Sequence, residues 1–417
     1  MTATITGMGL LTPVGRGADD VFDALLHGRS GITRPPEGHA AADSVEVGGF
    51  LPGELADIDP RTVQKGPDAN TLDRTVVLAL LAAADALTDA QLEVGTDADP
   101  ARVAVIIGGV GGMATLEAQV LSRAERGRAA VSPYLLTGIL PNMPAARVAI
   151  RFGIRGYSSS VGTACASGAQ AVADAVRLLR CGEADVVVCG ASEAPLFPTF
   201  AETFGNARAL ARGWDDPAES SRPFDVRRNG FVLSEGAALL VLERTEHADA
   251  RGAAGYADVS GYGATSDAHH PTAPRPDGEG AAECMRRALR SGGVRPDDVG
   301  YVNAHGTGTK LGDVAESVAI GNVFGEHGPA VSSTKALTGH MLGTSGVVEA
   351  AASALAVGRG VLPPTYNLDE PDPACPLDHV RKSPRDVAPA FALSNSFGFG
   401  GQNVSLLLGP ATTTKRR

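Results

Sequence analysis

The sequence predicts an α/β fold built from two similar halves. Three observations point there. The stretch Ala3-Thr4-Ile5-Thr6-Gly7-Met8-Gly9-Leu10-Leu11-Thr12 resembles Ala257-Asp258-Val259-Ser260-Gly261-Tyr262-Gly263-Ala264-Thr265-Ser266, each a strand leading into Gly-x-Gly with a hydroxyl three residues on. A weaker echo pairs Arg102 to Gly109 with Asp298 to Gly306, each an apolar run reaching a glycine turn. A third pairs the helical pattern after Cys165 with that near Gly343 to Ala356, each preceded by a turn of small residues. Recurrence in the same order indicates internal duplication. Continuous apolar runs such as Val103 to Ile107 and Val186 to Val188 suit strands covered on both faces, as in α/β layers. Chance similarity between Gly/Ala-rich segments is the competing explanation.

Taken in chain order, Val76 to Ala84 is the longest obvious apolar run; it ends at Asp85 and reads as a helix, too short for a membrane span. Tyr157 to Val161 has a strand's β-branched and hydroxyl character. From Ala166 the spacing becomes helical, with Ala169, Val172, Ala173, Val176 and Leu179 on one face and Gly182 as a C-terminal cap. Cys181 and Cys189 read as core residues. The boundary between halves falls near 245 to 256, giving units 1–250 and 251–417. In the second half, Val299 to Val302 is a strand, a helix carrying Glu349 follows His340, and Val404 to Leu408 is a closing strand.

At 417 residues, 43% apolar and 20% charged, the chain is long enough for two core units and has the balance of a soluble globular protein. Met1-Thr2-Ala3-Thr4-Ile5 lacks a basic-then-apolar signal pattern, so a cytoplasmic location is the default expectation. A net charge of -11, without a basic block in the body of the chain, argues against nucleic-acid binding. Lysine occurs only at 65, 310, 335, 382 and 415, which makes Lys335 stand out. The five cysteines, at 165, 181, 189, 284 and 375, contain no CxxC pair, so neither a zinc site nor a disulfide framework is indicated. Gly7-Met8-Gly9 lacks the third glycine of a dinucleotide loop.

Chemistry concentrates in four turns. Cys165 lies in Val161-Gly162-Thr163-Ala164-Cys165-Ala166-Ser167-Gly168, between strand and helix. The positive end of the helix dipole would favour its thiolate, the form that attacks thioesters; a buried structural cysteine is the alternative. His305 lies in Asn303-Ala304-His305-Gly306-Thr307-Gly308-Thr309, directly after a strand, and His340 closes Ser332-Ser333-Thr334-Lys335-Ala336-Leu337-Thr338-Gly339-His340. Rings in such turns face a cleft and can donate from Nε2 to a developing enolate oxygen, although each alone also fits a helix cap or a satisfied turn histidine. Ser394-Asn395-Ser396-Phe397-Gly398-Phe399-Gly400-Gly401-Gln402-Asn403 intersperses glycines with aromatics. Glycine allows close backbone approach to a ligand, so a backbone N–H there could complete an oxyanion hole, with Phe397 or Phe399 as a gate. The alternative is a β-bulge before an edge strand. His269-His270, in a proline-flanked loop, has no assigned role.

These four motifs together resemble the β-ketoacyl-[acyl-carrier-protein] synthases of the elongating Cys-His-His class, in type II fatty acid or polyketide synthesis. Ser221-Arg222-Pro223-Phe224-Asp225, Gly230-Phe231-Val232-Leu233-Ser234-Glu235-Gly236 and Pro363-Pro364-Thr365 also match, so the resemblance runs from Ile5 to Leu408. It implies a thiolase fold, a duplicated five-layer α-β-α-β-α sandwich, usually dimeric. It implies that Cys165 takes an acyl chain from an acyl carrier protein, and that His305 and His340 hold the thioester oxygen of malonyl carrier protein as CO2 leaves. The acyl oxyanion would lie between the N–H groups of Cys165 and Phe399. Thr307 and Thr309 match positions that hold the phosphopantetheine arm; Phe397, Gly400 and Gly401 belong to the gate loop. Lys335 and Glu349 match a supporting charged pair. Neither metal nor cofactor is implied, and neither membrane nor nucleic acid.

Three features depart from the commonest pattern. Gln402 stands where a threonine or histidine is expected. The region before Arg74 is poor in basic residues, leaving Arg61, Lys65 and Arg208 as candidates for carrier docking. Val110 matches a position at the floor of the acyl pocket, and its modest size suggests room for medium or long chains. A thiolase acting on acyl-CoA would carry a second cysteine in the C-terminal glycine loop, where this chain has Phe399. A starter synthase would have Asn in place of His340. A non-catalytic chain-length-factor subunit would lack the nucleophile. Still open are a homodimer or a heterodimer with such a partner, and a fatty acid or a polyketide or polyene pathway.

Overall fold

The computed structural model describes residues 3–416; Met1, Thr2 and Arg417, and with them the first two residues of the N-terminal reading, lie outside it. Ten strands and six helices build the layers. In the first half they are β1 (Ala3–Thr12), α1 (Arg74–Asp89), β2 (Val103–Gly108), α2 (Met143–Phe152), β3 (Ser158–Val161), α3 (Ser167–Arg180), β4 (Val186–Glu193) and β5 (Gly236–Arg244). In the second they are β6 (Ala257–Ser266), α4 (Glu279–Gly292), β7 (Val299–Asn303), α5 (Lys310–Phe324), β8 (Ala330–Ser332), α6 (Gly343–Arg359), β9 (Phe391–Gly398) and β10 (Gln402–Pro410).

Strand order is β1-β5-β4-β2-β3 in the first half and β6-β10-β9-β7-β8 in the second. Senses repeat too: β2 is parallel to β3 and β4, β7 to β8 and β9, and the remaining pairs are antiparallel. A register shift between Ile5 and Gly7 recurs between Val259 and Gly261. The halves join where β1 pairs antiparallel with β6, Ala3 opposite Val259, Thr4 opposite Asp258 and Ile5 opposite Ala257. This register is symmetric about Thr4 and Asp258, whose side chains share a 2.6 Å hydrogen bond.

The repeated glycines have a packing reason. A Cβ on Gly7 or Gly9 would fall 2.2 Å from the Ala86 carbonyl or 1.9 Å from that of Ala82, both on α1. On Gly261 or Gly263 it would fall 2.4 Å from the Ala288 carbonyl or 2.0 Å from that of Cys284, both on α4. Each Gly-x-Gly thus lets an outer helix rest on its strand.

The helices complete five layers. α1, with α2 against it, covers one face of the first half-sheet, and α4, with α5 against it, covers one face of the second. α3 and α6 pack on each other and on strands of both halves, so they form the middle layer. Consecutive strand residues therefore point into different cores: Ala104 and Ile106 face the middle, whereas Val103, Val105 and Ile107 face α1. That explains the unbroken apolar runs. α6 is buried from Gly343 to Val357, as expected of a helix without a polar face.

One expectation needs correction and one alternative falls away. Cys181 is exposed at the end of α3, with Gly182 at φ +72° just beyond it. β10 lies between β9 and β6, so the glycine loop does not precede an edge strand.

Candidate active site

Each candidate group sits just beyond a parallel strand's carboxyl end, where α/β folds place ligands. Cys165 follows β3 in a single 3-10 turn, Ala164–Ala166, that leads into α3. Ala164 adopts φ +49°, unusual for a side chain with a Cβ, and presents the thiol. His305 follows β7, and His340 lies between β8 and α6, the positions in the second half that correspond to the β2 and β3 turns of the first.

The duplication thus brings three reactive groups to one point. His340 Nε2 lies 3.1 Å from Cys165 Sγ. The rings of His305 and His340 are 5.4 Å apart at 82°. All three donor atoms fall within 4.8 Å of one another. They are the group best placed to hold a metal ion among the described residues, but a protonated thiol and the neighbouring Lys335 ammonium oppose a cation there.

The expected thiolate is not favoured at rest. Burial pushes the Cys165 thiol up to about 11, against the opposing pull of Lys335 and of the backbone N–H groups of Phe399 and Cys165. Those two N–H groups converge on the sulfur. The glycine at 398 permits this: a Cβ there would lie 2.5 Å from the Thr163 carbonyl and 3.3 Å from the Cys165 nitrogen. Burial, then Lys335, holds both His305 and His340 well below the usual histidine range, so both rings are neutral. Lys335 is itself buried and ion-paired with Glu349, whose carboxyl burial raises to about 7 despite that partner.

The histidine turn rests on a carboxylate that sequence reading did not single out. Glu316, on α5, accepts the N–H groups of His305 and Gly306, each at 2.8 Å, and a 3.2 Å bond from Asn395. Its signal is a buried acid one helix beyond a glycine turn. Ser345, on α6 beside His340, and Glu193, buried with one oxygen unpartnered and raised to about 8 by burial, were also missed.

Cys165, His305 and His340 line a cavity of about 590 Å³. Its walls include Thr307, Thr309, Phe397, Phe399 and Gly401; Thr307 and Thr309 join their hydroxyls at 3.0 Å. Phe399 is 41% exposed, so its ring is not locked in a core; Gly400 and Gly401 take φ of +83° and +71° beside it. Arg208, Lys310 and Arg275 lie at the cavity too. Arg61 and Lys65 are not among its lining residues, and Arg61 is ion-paired with Asp59 at 2.7 Å. Nor does Val110 line it; its N–H faces Glu193 at 3.5 Å. In the loop that forms part of the rim, His270 Nδ1 accepts N–H groups from Thr272 and Ala273, a local turn role.

Comparison with known proteins gives a consistent picture. Residues 3–248 match the family described as beta-ketoacyl synthase, N-terminal domain, and residues 256–369 match its C-terminal domain. The chain is similar to the 3-oxoacyl-[acyl-carrier-protein] synthase 2 of Synechocystis sp., with 41% identity over 96% of both chains. It is similar to that of Vibrio harveyi, with 40% identity over 97% of both. Among solved structures it resembles the ishigamide ketosynthase/chain length factor, with TM-score 0.90 and 31% identity over 98% of this chain and 99% of that one. A type II PKS acyl-carrier protein in complex with its ketosynthase bound to the hexaketide gives TM-score 0.90 and 30% identity over the same shares.

Proposed function

The chain belongs to the β-ketoacyl synthase family, and we propose that it condenses malonyl-acyl carrier protein with an acyl chain held on Cys165, releasing CO2 and β-ketoacyl-acyl carrier protein. The observation that carries this reading is the convergence of the Cys165 sulfur, two neutral imidazoles and the N–H of Phe399 at one cavity.

In the first half-reaction Cys165 Sγ attacks the acyl thioester. The carbonyl oxygen gathers negative charge between the N–H groups of Cys165 and Phe399, and preorganised donors of this kind stabilise such a charge without reorganisation. The bond to the carrier's pantetheine sulfur breaks, and the thiol proton ends on that sulfur. Phe399 then swings to admit malonyl carrier protein, whose pantetheine arm lies along Thr307 and Thr309. As its C–C bond to the carboxylate breaks, the electron pair moves into an enolate whose oxygen accepts N–H bonds from His305 and His340. The enolate carbon attacks the acyl-Cys165 carbonyl, and collapse expels the sulfur as a thiolate, which takes up a proton from solvent to restore the thiol. Neutral rings suit this task, because they donate without demanding a proton back. Burial keeps them neutral, reinforced by Lys335, whose charge is paired with Glu349. The chemistry needs no cofactor beyond the carrier's own arm.

Carrier docking falls to Arg208, with Lys310, at the cavity; Arg61 and Lys65, and Arg275, paired with Asp277 at 2.6 Å, are secondary. No helix among the described residues is long and apolar enough to cross a membrane, and we take the enzyme to work in the cytoplasm, as a dimer. The 40–41% identity to 3-oxoacyl-[acyl-carrier-protein] synthases 2, against 30% to the ketosynthase of the type II PKS complex, supports acyl elongation in fatty acid synthesis. The purified chain, given malonyl carrier protein and acyl carriers of graded length, should condense alone, with products read by mass. Silence until a chain-length-factor homologue is added would move it to the heterodimeric polyketide route. Cys165→Ala should abolish acyl-enzyme by intact-protein mass; a persistent adduct would refute the mechanism.

A further inference from the structure

Ser345 is the third residue of α6, buried to 1% exposure. Its Oγ lies 2.9 Å from the backbone nitrogen of Met341 and 3.2 Å from His340 Nδ1. The Met341 N–H can only donate. The hydroxyl has one hydrogen, and among the described residues His340 Nδ1 is the acceptor within reach of it. Were Nδ1 protonated instead, two donors would converge on Oγ and the hydroxyl hydrogen would be left unpaired in a buried place, a costly arrangement. The hydroxyl therefore donates to Nδ1. A neutral ring that accepts at one nitrogen carries its hydrogen on the other. His305 has no such partner: its Nδ1 is buried without a hydrogen bond.

We infer that Ser345 is a positioning residue that fixes His340 in the tautomer protonated at Nε2. Its hydroxyl turns Nε2 into a donor, directed first at the Cys165 sulfur and then at the enolate oxygen. His340 is consequently not the base that takes the thiol proton. That proton leaves with the pantetheine sulfur, as the bond from Cys165 forms and the carrier's thioester bond breaks. The inference rests on the enolate-stabilising role proposed for His340.

The test separates the two. Enzyme labelled with 15N-histidine reports the tautomer directly, with the His340 signals identified by their loss in His340→Ala. The wild-type ring should show Nε2–H, and Ser345→Ala should give a mixture of tautomers. Decarboxylation of malonyl carrier protein, measured in a Cys165→Gln background, should fall roughly 10- to 100-fold in Ser345→Ala through kcat rather than KM, by analogy with the loss of groups that orient metal-bound histidines. Ser345→Thr, which keeps the hydroxyl, should restore both signals. With Cys165 present, acyl transfer should change much less than decarboxylation. A wild-type ring protonated at Nδ1, which needs no variant to detect, would overturn the inference, as would an unchanged tautomer in Ser345→Ala. A shifted tautomer with undiminished decarboxylation would instead overturn the role given to His340.

Discussion

Burial sets the electrostatics of the site, and a single buried cation adjusts them. Lys335 opposes the burial that raises the Cys165 thiol and reinforces the burial that lowers both histidines. Lys335→Met should therefore raise the thiol further and slow alkylation by iodoacetamide at pH 8. The sign for the unaltered enzyme follows from the same shift. A thiol at about 11 is roughly one part in a thousand thiolate at pH 8, so its alkylation should climb about tenfold per pH unit from 7 to 9, with no levelling near the ordinary thiol range. A plateau below pH 9 would mean that the helix dipole wins over burial. The same substitution strands Glu349 in the core, costing about 3–5 kcal/mol in chemical denaturation, and adding Glu349→Leu should recover much of it. At this scale the sequence exposes Cys165, His305 and His340 through the small residues around them. It hides Glu316 and Ser345, because a carboxylate or hydroxyl on a helix has no local mark of what its far end meets. It also misleads about the thiol: the helix start is visible in sequence, and the desolvation that outweighs it is not.

At the scale of elements, the two Gly-x-Gly strands are the test of the duplication. Gly9 and Gly263 meet the same obstacle, a helix carbonyl about 2 Å from where a Cβ would sit. Gly9→Ala and Gly263→Ala should each force α1 or α4 off its strand and destabilise by about 1–3 kcal/mol, the usual cost of overpacking. Denaturant midpoints should fall by similar amounts; a silent substitution in one half would break the equivalence. Strands and their recurrence in the two halves were legible because both faces of the half-sheets are covered, which leaves apolar runs and bare glycines in the sequence. The central position of β10 was not, since a strand's neighbours are set by contacts far along the chain. Likewise Cys181 reads as core only by its residue type: it falls one residue past the last turn of α3 and in helical register with Gln170, Asp174 and Arg177, on the polar face.

At the scale of the molecule, the two ends of the strand path are finished differently. The second half is closed by a short strand, Asp378–His379, paired with β8. In the first half β3 is the edge strand. Near it the chain exposes apolar side chains that a monomer would bury: Val120 at 58%, Leu121 at 57%, Leu136 at 63%, Ile150 at 71% and Tyr157 at 51%. They lie on segments that pack in sequence upon one another, the helix Met113–Arg126 on Leu135–Ile139, that on α2, and α2 on β3. An open edge beside an apolar face invites a second sheet edge. The dimer proposed above would set β3 against β3 across a two-fold axis, the isologous contact of most soluble oligomers. The proposed dimer should therefore sediment at twice 42.5 kDa at micromolar concentration. Val120→Asp with Leu121→Asp should shift it towards monomer, while each chain keeps its fold because both positions are exposed. A wild-type monomer at those concentrations would reject the homodimer. A monomer that dimerises only with an inactive homologue would assign the same face to a heterodimer, in which this chain, carrying Cys165, His305 and His340, supplies the active site.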